Sequence, residues 1–548
     1  MKRPLLSILA LVLSCDLTAA PLTQPDLVVV ISLDQFRYEY LTRFGTYFGT
    51  GGFRYLMENG ANLANATYKH ALTATGPGHA VILTGTYASM NGIVSNSWYD
   101  RTTKRNVYCV QDLSCRIVGG SGDGVSPANI LVTTVGDELK LHHGFRPKVI
   151  SLSSKDRAAI ALGGKFADVA LWMTDSVFVT SSYYGERLPA WVEEFNASGL
   201  VNSYFGKTWE RCVPESAYAM MDVDDASYED GSGGLGRTFP HPIVGENATA
   251  ITASYYHALL ASPYGNEILI ALAERAIIAE KLGKRGITDL LCMNLSSNDY
   301  VGHRFGPHSH EVLDMSIRSD RLLADFFTFL DREIGLSSTV IVLTSDHGVG
   351  PAAGYLRTHA PKSMWPSPPQ QSLKDYCEAA LSHAFGRLRG SGSWIEKFIS
   401  RNIYLNTAAL AEKSIPLDVA ANALADSLLT RPEIVAACSR SRMLVLAPQS
   451  PMELRMKNSF HPKRSGDVMY SFPPYYHGEG DWAGAGHGSP YEYDAHVPLL
   501  MMGEGIQPGM YVTEASPADI APTLAALLGV EFPSGRAGRV LTEALKSR

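Results

Sequence analysis

The chain has 548 residues, 45% hydrophobic and 18% charged, which is enough apolar material for a large core and rules out a disordered protein. Its net charge of −7 argues against a nucleic-acid-binding surface, so an anionic substrate must be drawn by local charge such as bound metal. The length allows two or three ordinary domains or one elaborated α/β unit.

In chain order, Met1-Lys2-Arg3 and the apolar residues 5–13 form a charged start and a short hydrophobic stretch that match an export signal over residues 1–20, cleaved after Ala19 or Ala20. Val12-Leu13-Ser14-Cys15 also resembles a lipoprotein signal in which Cys15 is acylated, although Leu13 fits that motif poorly. No later stretch is long and apolar enough to span a membrane. The mature chain is therefore expected to be exported, periplasmic or secreted, and either soluble or lipid-anchored.

Leu27–Leu33 is a continuous apolar run ending at Asp34. In 70–83 a Thr75-Gly-Pro-Gly turn leads into an apolar periodic stretch, which places Thr75 near a helix N-terminus. There it serves either as an N-cap or as a nucleophile, and only its surroundings decide. Cys109 and Cys115 flank a short polar loop, where in an exported protein a local disulfide and two free thiols are equally open. The strand-like run 148–153 precedes Lys155 and Arg157. Residues from about 160 to 285, rich in Gly, Ser, Tyr and Trp, read as an insertion over the sheet. The run 290–295, with Cys292 as a small core residue, precedes Asp299 and His303, which share either one face of a helical turn or a tight loop around Gly302. Thr339–Thr344 precedes the adjacent pair Asp346-His347, which converge on one point only if the chain leaves strand geometry at Gly348. A second insertion, from about 352 to 480, contains helical stretches such as 419–429 and is expected to form part of a cap before His487.

Unbroken β-branched runs suit central strands of a parallel sheet covered on both faces. Ligands of open α/β sheets collect beyond the carboxyl ends of the strands. Three acidic signals at three strand ends therefore predict one site. Taken singly, an aspartate at a strand end usually caps a turn, a lone histidine is usually structural, and Lys-x-Arg is usually an exposed basic pair. The joint pattern is what carries weight.

The ordered set Ser32-Leu33-Asp34, Thr75-Gly-Pro-Gly-His79, Asn96, Ser154-Lys155-Asp156-Arg157, Asn298-Asp299-Tyr-Val-Gly-His303, Thr344-Ser345-Asp346-His347-Gly348 and Gly486-His487-Gly488-Ser489 resembles the alkaline phosphatase superfamily. Within it the chain is similar to the PafA-type phosphate monoesterases that use threonine as nucleophile. The resemblance covers nearly the whole mature chain and implies an α/β fold, a large mostly parallel central sheet between helical layers with insertions forming a cap. It implies two Zn²⁺ ions, one held by Asp299, His303 and His487 and the other by Asp34, Asp346, His347 and deprotonated Thr75. It also implies hydrolysis of small-molecule phosphate monoesters through a phosphothreonine, with Asn96, Lys155 and Arg157 binding the phosphoryl oxygens. His79, His308, His310 and His496 have no ligand role in the pattern. A nucleotide pyrophosphatase/phosphodiesterase of the same superfamily shares the ligands and the threonine, and related diesterases lack the Lys155/Arg157 pair. A sulfatase needs a Cys or Ser where Thr75 stands, and an exported metal-binding protein without catalysis has no need of an intact nucleophile.

Overall fold

The computed structural model describes residues 24–361, 371–476 and 483–546, so the expected signal segment 1–20 with Cys15 lies outside the described residues. Ten strands form one mixed sheet in the order Gly509–Tyr511, Ala61–Leu63, Leu499–Gly503, Thr339–Thr344, Leu27–Leu33, Asp289–Leu295, Val149–Ser153, Val169–Thr174, Val177–Ser181 and Ile117–Val118. The five strands from Thr339–Thr344 to Val169–Thr174 are mutually parallel. Leu499–Gly503 and Val177–Ser181 flank them in the antiparallel sense.

The apolar runs have their explanation in the two faces of this sheet. Leu27, Val29, Ile31 and Leu33 point into one hydrophobic cluster, together with Leu291, Met293, Ile341 and Leu343. Val28 and Val30 point into the other, with Leu290, Cys292, Val340 and Val342. Successive side chains of a strand alternate between faces, so a strand covered by helices on both sides must be apolar throughout. Each fully buried side chain of this size contributes roughly 1.5–3 kcal/mol, which makes the central strands a stiff support. Their register is also level: Ser32 stands opposite Thr344 on one side and Asn294 on the other, and Asn294 opposite Ser153. Asp34, Asp346, Asp299 and Lys155 consequently leave the sheet at one edge.

The segment 160–285 differs from its expected role as an added layer. It supplies two strands of the central sheet, Val169–Thr174 and Val177–Ser181. Its helices Ala190–Ala197 and Pro263–Glu280, with Trp209, Tyr218 and Tyr255, join the same cluster as Leu27 and Val29. Aromatic and short apolar runs broken by glycine hid that continuity in the sequence.

Residues 372–471 instead build a separate antiparallel sheet, in the order Ile395–Ile399, Asn402–Leu405, Val468–Ser471, Ala436–Ser439. Helices Leu373–Phe385 and Leu417–Leu428 cover it with a core of their own around Trp394, Ile403, Leu424 and Leu428. The unit docks beside Asn96: Ser95 Oγ lies 2.6 Å from Ser400 Oγ, Tyr99 donates to Glu396 (2.8 Å) and Arg101 to Asp467 (2.8 Å). Among the described residues no helix is long and apolar enough to cross a membrane. Cys109 and Cys115 are both free thiols.

Candidate active site

The edge of the sheet brings the sequence-predicted residues together. Asp299 and His303 lie one turn apart on the helix Ser297–Phe305, which settles the choice between helix and loop. The neighbours Asp346 and His347 converge because the chain bends there: Ser345 Oγ donates to His347 O (2.7 Å) and Gly348 N to Asp494 O (2.7 Å). Gly348 is required by close approach, since a Cβ there would lie 2.2 Å from Tyr493 O. Thr75 is the first residue of the helix Thr75–Thr84, and the N-cap is Ala74. The hydroxyl is thus not spent on capping and sits, 1% exposed, where free backbone N–H groups favour negative charge.

Two clusters of potential ligands result, Asp299/His303/His487 and Asp34/Asp346/His347, each with its ligand atoms within 4.8 Å of one another. All three imidazoles are oriented alike. Nδ1 donates to a backbone carbonyl in each, His303 to Ala485 (2.8 Å), His487 to Thr73 (2.7 Å) and His347 to Gly348 (2.9 Å). That fixes the tautomer and leaves Nε2 as a lone-pair donor facing the carboxylates. Asp34 Oδ1, Asp346 Oδ2 and His347 Nε2 are buried without hydrogen-bond partners among the described residues. Orphaned donors of oxygen and imidazole type in sets of three fit Zn²⁺, which takes such ligands and keeps a position open for catalysis.

Protonation agrees with that fit at two of the three rings, whereas at His303 burial is outweighed by the Asp299 carboxylate, which raises the pKa. Burial, with His347 and His303 nearby, pushes His487 down to about 3. Burial likewise brings His347 to about 4 against the pull of Asp34 and Asp299. Both rings therefore stay neutral and able to ligate. Burial and the Asp346 carboxylate raise Asp34. Burial acts to raise Asp299 as well, but His303 and Lys155 outweigh it and hold that carboxyl well below its ordinary range.

Lys155 lies between the clusters, its Nζ 2.9 Å from Asp34 Oδ2 and 2.5 Å from Asp299 Oδ2. Burial alone would lower its pKa, yet Asp299 and Asp34 reverse the shift and keep it charged. Arg157 Nη2 lies 3.5 Å from Thr75 Oγ, and its Nε is buried without a partner. Asn96 Oδ1 accepts from Gly76 N (2.7 Å), which fixes the amide against the first turn of the helix that Thr75 begins. All ten predicted site residues are thus gathered at one place.

Some neighbours gave no sequence signal. Gln35 donates from Nε2 to Asp299 Oδ1 (2.7 Å) and from its backbone N to Asp346 Oδ1 (3.2 Å). Asn294 donates to Asp34 Oδ2 (3.0 Å) from inside the strand, where a lone polar residue in an apolar run was the available clue. His79, expected to hold no ion, touches the site all the same, its Nδ1 2.9 Å from Thr75 O and 3.2 Å from Asp346 Oδ2. His308 stacks on Tyr355 with ring centroids 3.7 Å apart, His310 lies 3.2 Å from Asp224, and His496 bonds Ala64 O (2.9 Å); these three are structural.

Residues 28–488 match the model of the type I phosphodiesterase / nucleotide pyrophosphatase family. The alkaline phosphatase PhoV of Synechococcus elongatus is 36% identical over 533 residues, spanning 95% of this chain and 93% of that protein. The alkaline phosphatase PafA of Elizabethkingia meningoseptica is 33% identical over 532 residues, 95% of each. A crystal structure of wild-type alkaline phosphatase PafA superposes with a TM-score of 0.89 at 33% identity, covering 96% of this chain and all of that one.

Proposed function

The chain belongs to the type I phosphodiesterase / nucleotide pyrophosphatase family, within the alkaline phosphatase superfamily, and on that footing we propose that it hydrolyses phosphate monoesters with two zinc ions through a phosphothreonine on Thr75. The observation that carries this reading is the uncapped Thr75 hydroxyl at a helix N-terminus with the Arg157 guanidinium 3.5 Å away. Asp299, His303 and His487 would hold one ion, and Asp34, Asp346 and His347, with Thr75, the other. When bound, zinc supplies charge stabilisation for the nucleophilic and leaving oxygens.

Thr75 Oγ attacks phosphorus as the bond to the leaving oxygen breaks, and the phosphoryl group passes to the threonine. Water then attacks the phosphothreonine, releasing inorganic phosphate and restoring the hydroxyl. Phosphoryl transfer depends mainly on positioning and charge stabilisation. Arg157 offers a planar fork of donors, Lys155 a point charge and the Asn96 amide a neutral donor to the non-bridging oxygens. A monoester dianion carries one more charge than a diester, so two cations beside the nucleophile favour the monoester. The family's name also covers diester cleavage, and the pair of cations is what argues against that alternative here. The relatives described as alkaline phosphatases point the same way.

The test compares kcat/KM for an aryl phosphate monoester and its methyl diester. Wild type should prefer the monoester. Arg157→Ala is the cleaner variant, because Lys155 also holds Asp34 and Asp299. It should cost about 2–4 kcal/mol on the monoester, roughly 30- to 1,000-fold in kcat/KM, and far less on the diester. A wild type that prefers the diester would move the chain to the phosphodiesterase reading.

A further inference from the structure

Gln35 directly follows Asp34, is 2% exposed, and touches one carboxylate of each ligand cluster. Its backbone N–H reaches Asp346 Oδ1 at 3.2 Å and its Nε2 reaches Asp299 Oδ1 at 2.7 Å. The latter oxygen is the one that faces the imidazoles, 3.2 Å from His303 Nε2 and 3.9 Å from His487 Nε2. Lys155 spans the clusters too, but through the other oxygens, Oδ2 of Asp34 and Oδ2 of Asp299.

Two further features show that the fold makes room for this side chain. Gln35 sits at φ 63°, a left-handed conformation in which glycine is favoured and a glutamine is strained. On the facing helix a Cβ at Gly302 would lie 1.8 Å from Gln35 Oε1, so a side chain there would have to displace the carboxamide from its present place. A glutamine at a backbone angle that favours glycine, with a glycine facing its carboxamide, singles out the amide as the part of Gln35 that reaches the site.

We propose that Gln35 is a positioning residue that cross-braces the two ion sites, its backbone fixing Asp346 and its carboxamide aiming the imidazole-facing oxygen of Asp299 at one ion. The proposal rests on the two-ion reading above. Partners of ligating groups set their direction, and loss of one typically weakens metal binding by about 10- to 100-fold. Because the two contacts come from different parts of Gln35, they can be separated. Gln35→Gly removes the carboxamide, keeps the N–H on Asp346 and suits the left-handed backbone.

The experiment strips wild type and Gln35→Gly with chelator, reloads each with Zn²⁺ against a competing chromophoric chelator, and repeats the titration with Co²⁺ to follow each site by its absorption. Unfolding of the metal-free proteins is measured alongside. The expected result is roughly 10- to 100-fold weaker binding of one ion, the other unchanged, and metal-free stability no lower than wild type. Equal effects on the two ions, whether no change or a common loss, would overturn the cross-brace. A selective loss accompanied by a less stable metal-free protein would also overturn it, in favour of a packing role. Fewer than two ions bound by wild type would remove the two-ion reading itself and is distinguishable from all of these.

Discussion

The carboxyl edge of the central sheet and the inserted unit at 372–471 bury polar groups in opposite ways. In the unit, Glu378 accepts from the backbone N–H groups of Trp394 and Ile395, and Asp467 accepts from Arg101 and from Leu405 N. Among the described residues of 372–471 no buried side-chain nitrogen or oxygen lacks a partner. At the sheet edge Asp34 Oδ1, Gln35 Oε1, His79 Nε2, Arg157 Nε, Asp346 Oδ2 and His347 Nε2 all lack one. An unsatisfied buried group costs about 1–3 kcal/mol, a cost that bound groups at the sheet edge would offset. The oxygens of Glu229 and Glu311 show the other resolution. There burial and the neighbouring Glu311 push Glu229 up to about 10, so it is neutral at ordinary pH.

That contrast is sharpened by substitutions away from the sheet edge. Asp467→Ala leaves Leu405 N and the Arg101 guanidinium without their acceptor and should destabilise the protein by about 2–3 kcal/mol in denaturant unfolding, with zinc content unchanged. Loss of zinc in the same variant would show that the unit and the sheet edge are not energetically separate.

A smaller effect belongs to the joint between them, where Ala71 N donates to Ser459 and Asn458 to Lys69 O. His70 in that joint is 1% exposed, stacked on Tyr68, and burial brings it from 6.5 down to about 3. Its folded value lies below its unfolded one, so its contribution to stability is fully present above about pH 6.5 and is lost as pH falls toward 3. At pH 5 that loss is about 2 kcal/mol. His70→Phe keeps the stacking and should lose correspondingly less stability between pH 7 and 5. Parallel pH profiles for variant and wild type would contradict the assignment.

The central strands and the candidate ligands that follow them are legible because burial on both faces leaves a run of apolar residues, and a carboxylate at its end then stands out. For a similar reason the sequence period predicts a helix over 419–429, which the structure places at Leu417–Leu428. Strands 169–174 and 177–181 were missed because Val169-Ala170-Leu171-Trp172 and Val177-Phe178-Val179 are short and lie in a stretch otherwise rich in glycine and serine. Gln35 was invisible for a different reason. Amides are not among the usual zinc ligands, and its left-handed φ of 63° is a property of the folded edge that its sequence neighbours do not announce. The choice of Ala74 over Thr75 as N-cap likewise rests on backbone angles, φ −139° and ψ 159° at Ala74, rather than on residue type.

Phosphoryl transfer to Thr75 is the step on which the proposed chemistry depends. Acid-quenching the enzyme during turnover of an aryl phosphate monoester and sequencing its peptides by mass spectrometry reads that step directly. Phosphate on Thr75 in wild type, absent from Thr75→Ala together with nearly all activity, is the expected result. Unmodified Thr75 throughout turnover, with Thr75→Ala as fast as wild type, would contradict it.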